Sequence, residues 1–318
     1  MNDVLKWISR AIAPMGYHVR PKTAPNFLKV RALETPENTQ NLTALRNATG
    51  MATPQKITDD LNSLHIFVRT CLRENRKMNP KPRLTGDDVS ENAYRCLKSL
   101  AASVRHALAK DSNLKIQITL MDDRSDAPIL QKIKDILTQS GAPLEVQQTA
   151  EAGQGASLHE TFSKGRGLNA LTYFVEEDYL HEEDAIFCLW QFYKDMTQAI
   201  GSHLLLYPQE HQELYSNHYP SYIVAGADRH WRTMRNATHT FLTHGKVVEE
   251  YWPLFENTKF VGIKKHRRKG SEDRTTNRLF EKIPGFCPLK PCAVHLQYEE
   301  LLPPFYDWKP LWDRFKSA

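Results

Sequence analysis

Two short acidic clusters hold the densest potential for chemistry in this chain of 318 residues. Asp122-Asp123-Arg124-Ser125-Asp126 follows one apolar run, and Glu176-Glu177-Asp178 follows another and leads into Tyr179, Leu180 and His181. Carboxylates gathered this closely repel one another unless a cation or several hydrogen-bond donors lie between them. Hard oxygen ligands of this kind hold a divalent metal, and the metal in turn neutralises a phosphate. One acidic trio is ordinarily a solvated turn or a helix cap. Two of them in matching positions of one pattern point to a site.

The elements that must position these clusters can be read from hydrophobic spacing. Leu64–Cys71 is an apolar, β-branched run of the kind a buried strand needs, and Pro80 to Asp88 is rich in turn residues. Ser90–Leu108 has helical spacing through Ala93, Leu97, Leu100, Val104 and Leu108. Strand, helix, strand, helix and strand follow at Leu114–Met121, Ile129–Leu137, Leu144–Thr149, Ala156–Lys164 and Leu171–Val175. This alternation predicts an α/β sheet, largely parallel and covered on both faces. Ligands bind such sheets outside the carboxyl ends of the strands, which is where both acidic clusters fall.

The net charge of +5 comes from one short segment. Residues 1–31 contain Lys6, Arg10, Arg20, Lys22, Lys29 and Arg31 against Asp3 alone, and the remainder is balanced. A pI of 8.8 is therefore no signature of nucleic acid. Val4, Leu5, Ile8 and Ile12 share one face of a short helix flanked by Lys6 and Arg10 and ended by Pro14 and Gly16. A basic amphipathic helix suits an anionic membrane surface, and equally an ordinary docked helix. Residues 32–60 lack periodicity and read as a linker, so the expected organisation is an extension over 1–60 and a catalytic domain over 61–318.

No run approaches the roughly 20 apolar residues of a membrane span, and no secretory signal is evident. Of five cysteines, Cys71, Cys96 and Cys188 sit in apolar segments and read as reduced thiols, which points to the cytoplasm. Cys287 and Cys292 have no partners at zinc-finger spacing.

From Leu64 to Trp190 the order of elements resembles the nucleotide-binding half of family 2 glycosyltransferases with the GT-A fold. Met121-Asp122-Asp123-Arg124-Ser125-Asp126 is similar to that family's Asp-Asp-x-Ser turn, and Glu176-Glu177-Asp178 resembles its Asp-x-Asp motif, with two glutamates before the aspartate as a departure. The resemblance implies a mixed, mainly parallel GT-A sheet flanked by helices, with a nucleotide-sugar half over 61–190 and an acceptor half over 191–318. It implies that Asp123 bonds the nucleotide base, beside Asp122, and that Arg69 and Thr70 border that base. Gly153, Gly155 and Ala156 resemble the loop preceding the helix that leads into the metal strand, which would set Gly155 against the nucleotide sugar. Glu176, with Glu177 next to it, would face the ribose or sugar. Asp178 would ligate Mn²⁺ or Mg²⁺, and His295, inside the apolar run Cys292–Leu296, would complete the metal site. A histidine in such a run is otherwise more often a core residue.

An inverting transfer needs a carboxylate to take the acceptor proton. The resemblance puts that base past the acidic motif, where Glu249 and Glu250, before Tyr251 and Trp252, match best, Glu250 preferred. Asp228, just before Arg229, His230 and Trp231, competes. Trp231, Tyr251 and Trp252 offer faces for sugar rings or belong to the core. Lys264-Lys265-His266-Arg267-Arg268-Lys269 could close over a diphosphate, meet an anionic lipid, or be a solvated run. The expected activity is sugar transfer from a nucleoside-diphosphate donor to a glycan or lipid-linked hydroxyl, on the inner face of a membrane. A sugar nucleotidyltransferase is the second reading, against which the glycine-free Arg69-Thr70-Cys71-Leu72-Arg73 counts. A non-catalytic polyanion-binding module is the third.

Overall fold

The computed structural model describes residues 8, 11–15, 56–73, 84–86, 88–216, 221–261 and 272–316. The chain divides into two units, Met1–Pro54 and Gln55–Ala318. In the first, Ile8, Ala11 and Ile12 are α-helical and Ala13–Met15 form a 3-10 turn that contains Pro14. Lys6, Arg10 and residues 16–55 lie outside the described residues. The second unit begins before the expected boundary at 60. Asp60 accepts hydrogen bonds from the backbone of Asn62 and Ser63, and Asp59 pairs with Lys246 and with His203.

The second unit opens with β1 (Ser63–Thr70), α1 (Val89–Lys110), β2 (Lys115–Asp122), α2 (Ala127–Thr138), β3 (Leu144–Gln148), α3 (Gln154–Gly165), β4 (Leu171–Glu176), β5 (Tyr179–His181) and α4 (Ala185–Ile200). It continues with β6 (Leu205–Leu206), α5 (Glu213–Ser216), β7 (Ile223–Ala225), β8 (His230–Met234), β9 (Phe241–His244), α6 (Gly245–Glu250), α7 (Trp252–Glu256), β10 (Gly285–Pro288), β11 (Ala293–His295) and α8 (Lys309–Arg314). The alternation through β4 follows the hydrophobic spacing closely. Ile66, Phe67 and Val68 are all buried, as a strand covered on both faces requires. Asp88 caps α1 by accepting from the N–H groups of Ser90 and Glu91. Pro128 sits in the first turn of α2, where its missing N–H costs nothing.

One nine-stranded sheet runs in the order β3-β2-β1-β4-β9-β6-β10-β8-β7. β3, β2, β1 and β4 are parallel, β9 is antiparallel to β4, β6 and β10 resume the first direction, and β8 reverses again. The sheet is therefore mixed and mainly parallel, the α/β architecture expected. Phe67, Met121, Leu158, Phe162, Phe174, Phe241 and Phe255 form one core cluster, built from the sheet, α3 and α7. A second cluster joins Cys96 of α1, Leu180, Val294 and Leu296 to Leu311 of α8. There the Arg95 guanidinium lies 4.3 Å from the Trp312 ring, and Trp308 and Phe315 pack against the same cluster. Among the described residues no helix is long and apolar enough to cross a membrane.

Candidate active site

β1, β2 and β4 run the same way, so their carboxyl ends share one edge. Register sets Thr70 opposite Asp122 and Arg69 opposite Glu176. The two acidic clusters are thus separated only by β1, a distance of about 10 Å across two strand spacings.

At the end of β2, Asp122 builds the turn. Its carboxylate accepts from Thr70 Oγ1 at 3.0 Å and from the Ser125 N–H at 3.0 Å. Ser125 Oγ in turn accepts from the Leu72 N–H at 2.8 Å. Arg124 takes a left-handed φ of 59° inside this turn, and its guanidinium donates to Asp123 Oδ1 at 2.9 Å and to the Ala150 carbonyl at 3.0 Å. Asp123 is buried, and its Oδ2 accepts from the Gly153 N–H at 2.8 Å. Gly153 holds φ at 113°, which a side chain would strain, so this glycine ties the loop before α3 to the acidic turn. Asp122 and Thr70, expected at the nucleotide, bond each other and hold the turn at this edge. The Cys71 thiol donates to the same Oδ2 at 3.8 Å, and Asp123 keeps acceptor capacity at the edge beyond these three bonds.

The end of β4 assembles a different group. Glu177 and Asp178 form a turn that leads into β5, and β5 pairs antiparallel with β11, placing His295 opposite Tyr179. The Leu296 N–H donates to the Asp178 carbonyl at 3.0 Å. The His295 ring stacks on Tyr179, with centroids 4.4 Å apart, and its Nδ1 meets the Tyr179 hydroxyl at 3.3 Å. That contact leaves Nε2 turned to Asp178 Oδ2 at 3.4 Å, buried and with no hydrogen-bond partner. Ligand atoms of Glu176, Asp178 and His295 all lie within 4.8 Å of one another. An imidazole nitrogen this close to two carboxylates, and making no hydrogen bond, fits a divalent cation, and the mixed N,O donor set suits Mn²⁺ better than Mg²⁺. Tyr179 orients the imidazole from behind, as ligating histidines require. Burial and the neighbouring Tyr207 push its phenol pKa well up, so it stays protonated.

A cavity of about 580 Å³ opens from this group. Its lining includes Glu176, His295, Tyr207, His239, Glu272 and Glu300. Burial holds the His239 imidazole down at about 4, against the opposing pull of Glu272, whose Oε1 is 3.6 Å from its Nδ1. Arg69 Nη2 donates to Glu176 Oε1, and Nη1 donates to Ser157 Oγ at 3.3 Å. Arg69 therefore balances the acidic group, a role that only the β1–β4 register reveals. Tyr179, His239 and Glu272 carried no signal in the sequence beyond their residue types.

Several expected site residues lie elsewhere. β9 runs against β4 and pairs His244 with Leu171, so α6 begins at the edge opposite Glu176. Glu249 is exposed there and chelated by Arg166, with Nε and Nη2 donating at 2.6 and 2.9 Å. Arg166 caps the C-terminal end of the 12-residue α3, whose other end borders the cavity, about 18 Å away. The same guanidinium holds the Glu249 carboxyl below the usual range, unsuited to a base. Neither Glu249 nor Glu250 reaches the cavity. Asp228 is exposed in the β7–β8 hairpin, and β8 is four strands from β4, about 19 Å. Trp231 is buried, stacked 3.9 Å from Phe192, while Trp252 lies under Arg166. Lys264, Lys265, Arg267 and Arg268 lie outside the described residues.

Gly155 is a correction of another kind. A Cβ there would stand 2.6 Å from both the Lys259 and Val261 carbonyl oxygens. The glycine lets α3 approach the 259–261 backbone, and packing accounts for it without a nucleotide. Gly155→Ala should destabilise the fold by about 1–3 kcal/mol, as overpacking does. Chemical denaturation checks this; an unchanged midpoint would show that the backbone yields freely.

No protein-family model and no curated protein matches the chain. Among solved structures, it is similar to S. aureus TarS 1-349 in complex with UDP, at 13% identity and a TM-score of 0.42, over 71% of this chain and 57% of that one. It is similar to glucosyl-3-phosphoglycerate synthase from Mycobacterium tuberculosis in complex with Mn²⁺, UDP-glucose and phosphoglyceric acid, at 9% identity and a TM-score of 0.35, over 74% of each chain. A UDP-glucose pyrophosphorylase complexed with UDP-glucose matches at 9% identity and a TM-score of 0.38, over 79% of this chain and 96% of that one. The chain spans little more than half of the TarS 1-349 structures it matches. With TM-scores below 0.5, the functional case rests on this chain's own residues.

Proposed function

We infer that this chain is a metal-dependent glycosyltransferase that uses a nucleoside-diphosphate sugar. The observation that carries the reading is the convergence at the end of β4 of Glu176, Asp178 and His295, whose Nε2 makes no hydrogen bond. It gains from Asp123 on the same edge, two strands away. Those three side chains would hold Mn²⁺ or Mg²⁺, which when bound supplies positive charge beside a diphosphate leaving group. Asp123 would face the base and Arg69 would keep Glu176 in place. In an inverting transfer the acceptor oxygen bonds to the anomeric carbon, and the electron pair of the broken carbon–oxygen bond leaves with the nucleoside diphosphate. The acceptor proton passes to a carboxylate, for which the cavity wall offers Glu272, Asp273 and Glu300. A second half of the reading, that residues 1–31 and 264–269 attract an anionic surface, stands on charge alone.

Thermal shift with UDP-, GDP- and CDP-sugars, with and without Mn²⁺, tests this. One nucleotide should raise Tm by about 5 °C at a hundredfold excess over Kd, and only with metal. Equal stabilisation by heparin without metal would favour the polyanion-binding module.

A further inference from the structure

Phe305 is 96% exposed and holds a φ of 63°. Both facts cost free energy: a bulky residue in the left-handed region is strained, and a buried phenylalanine would gain the hydrophobic term. The segment is not loose. Leu302 packs into the second core cluster, and the neighbouring Tyr306 hydroxyl donates to Glu182 Oε1 at 2.6 Å. Phe305 meets Tyr215 edge to face, with centroids 5.8 Å apart and planes at 84°. Tyr215 is itself 48% exposed, yet its hydroxyl donates to Glu210 Oε2 at 2.6 Å and its ring carries the Arg232 guanidinium at 5.2 Å. The pair is therefore a fixed aromatic surface facing solvent.

This surface adjoins the cavity. His211 and Leu301 line the cavity and stand just before Tyr215 and Phe305 in the chain. The two segments are bound together by Gln212 Nε2 donating to the Glu299 carbonyl at 3.0 Å, and by Gln209 Nε2 donating to the Leu301 carbonyl at 2.6 Å. Among the described residues, the cavity lining includes no lysine or arginine, but it does include Glu272, Asp273, Glu300 and His295. Such a wall repels phosphorylated or carboxylated acceptors and offers hydroxyl groups good hydrogen-bond partners. Sugar rings present C–H faces that lie on aromatic rings.

We propose that the cavity and the Tyr215–Phe305 pair together form the acceptor subsite, and that they take an uncharged oligosaccharide. Its end enters the cavity toward Glu176 while a preceding sugar lies on Phe305. This rests on the glycosyltransferase reading and names its acceptor class.

The test uses the full chain with UDP and Mn²⁺ present. Uncharged hexasaccharides of glucose, galactose, mannose and N-acetylglucosamine are titrated by saturation-transfer NMR, beside a heparin hexasaccharide. At least one uncharged hexasaccharide should bind, about tenfold more weakly in Phe305→Ala and as wild type in Phe305→Trp. Overturning results are preference for the heparin fragment, no saccharide binding, unchanged affinity in Phe305→Ala, or a dimer that this variant dissociates. UDP affinity, measured on the same samples, separates the two readings. If UDP binds with Mn²⁺ and no uncharged sugar does, only the acceptor assignment fails.

Discussion

Asp178→Asn should lower sugar transfer by about 10³-fold, remove the Mn²⁺-dependent rise in Tm, and leave the metal-free protein at least as stable as wild type. The three effects share one cause. The Asp178 carboxylate lies within 4.8 Å of its partners in the Glu176–His295 group, and an amide there keeps the shape while losing the charge that holds a hard cation. Without metal the two carboxylates oppose each other. At that separation and an effective dielectric of about 20, their repulsion amounts to about 3 kcal/mol, part of which the substitution relieves. A residue that merely packed would lower Tm when changed, whatever the metal. Activity assays and melting curves in EDTA and in Mn²⁺ decide between them. Near-normal transfer, or a metal-free Tm that falls, would remove Asp178 from the metal site.

What the chain disclosed in advance follows the range of the interactions involved. Spacing of apolar residues is local, so β1 through β4 and the helices between them could be read to within a residue or two. The placement of Asp123 and Asp178 on one edge then followed from parallel strands ending alike. His295 was legible only as a histidine in an apolar run, because the β5–β11 pairing that brings it to Asp178 spans more than a hundred residues. Glu249 and Glu250 lie away from the acidic edge for a related reason. Nothing local tells that β9 enters antiparallel to β4, and that reversal carries the following helix to the far edge. Gly155 looked like a ligand-facing glycine, yet its neighbour is the carbonyl of Lys259, a contact set by tertiary packing.

Arg69→Met should cost about 3 kcal/mol in the metal-free protein, lowering Tm by about 5–6 °C, and Mn²⁺ should recover most of it. Arg69 is 8% exposed and donates to Glu176 across the β1–β4 register. Methionine fills the same space without the charge, leaving Glu176 facing Asp178 with no nearby guanidinium. A bound divalent ion supplies what the arginine supplied, so the stabilisation by Mn²⁺ should be larger in this variant than in wild type. Apparent Mn²⁺ affinity should also rise, because a cation beside the site has been removed. Combining Arg69→Met with Asp178→Asn completes a thermodynamic cycle. If the arginine acts by balancing two acids, the double variant is more stable than the sum of the single losses predicts, by about 1–3 kcal/mol. If Arg69 only packs against Ser157, the losses add and Mn²⁺ makes no difference to them. The guanidinium then does two things at once: it keeps the acidic edge folded when no metal is bound, and it sets how tightly the metal can be held.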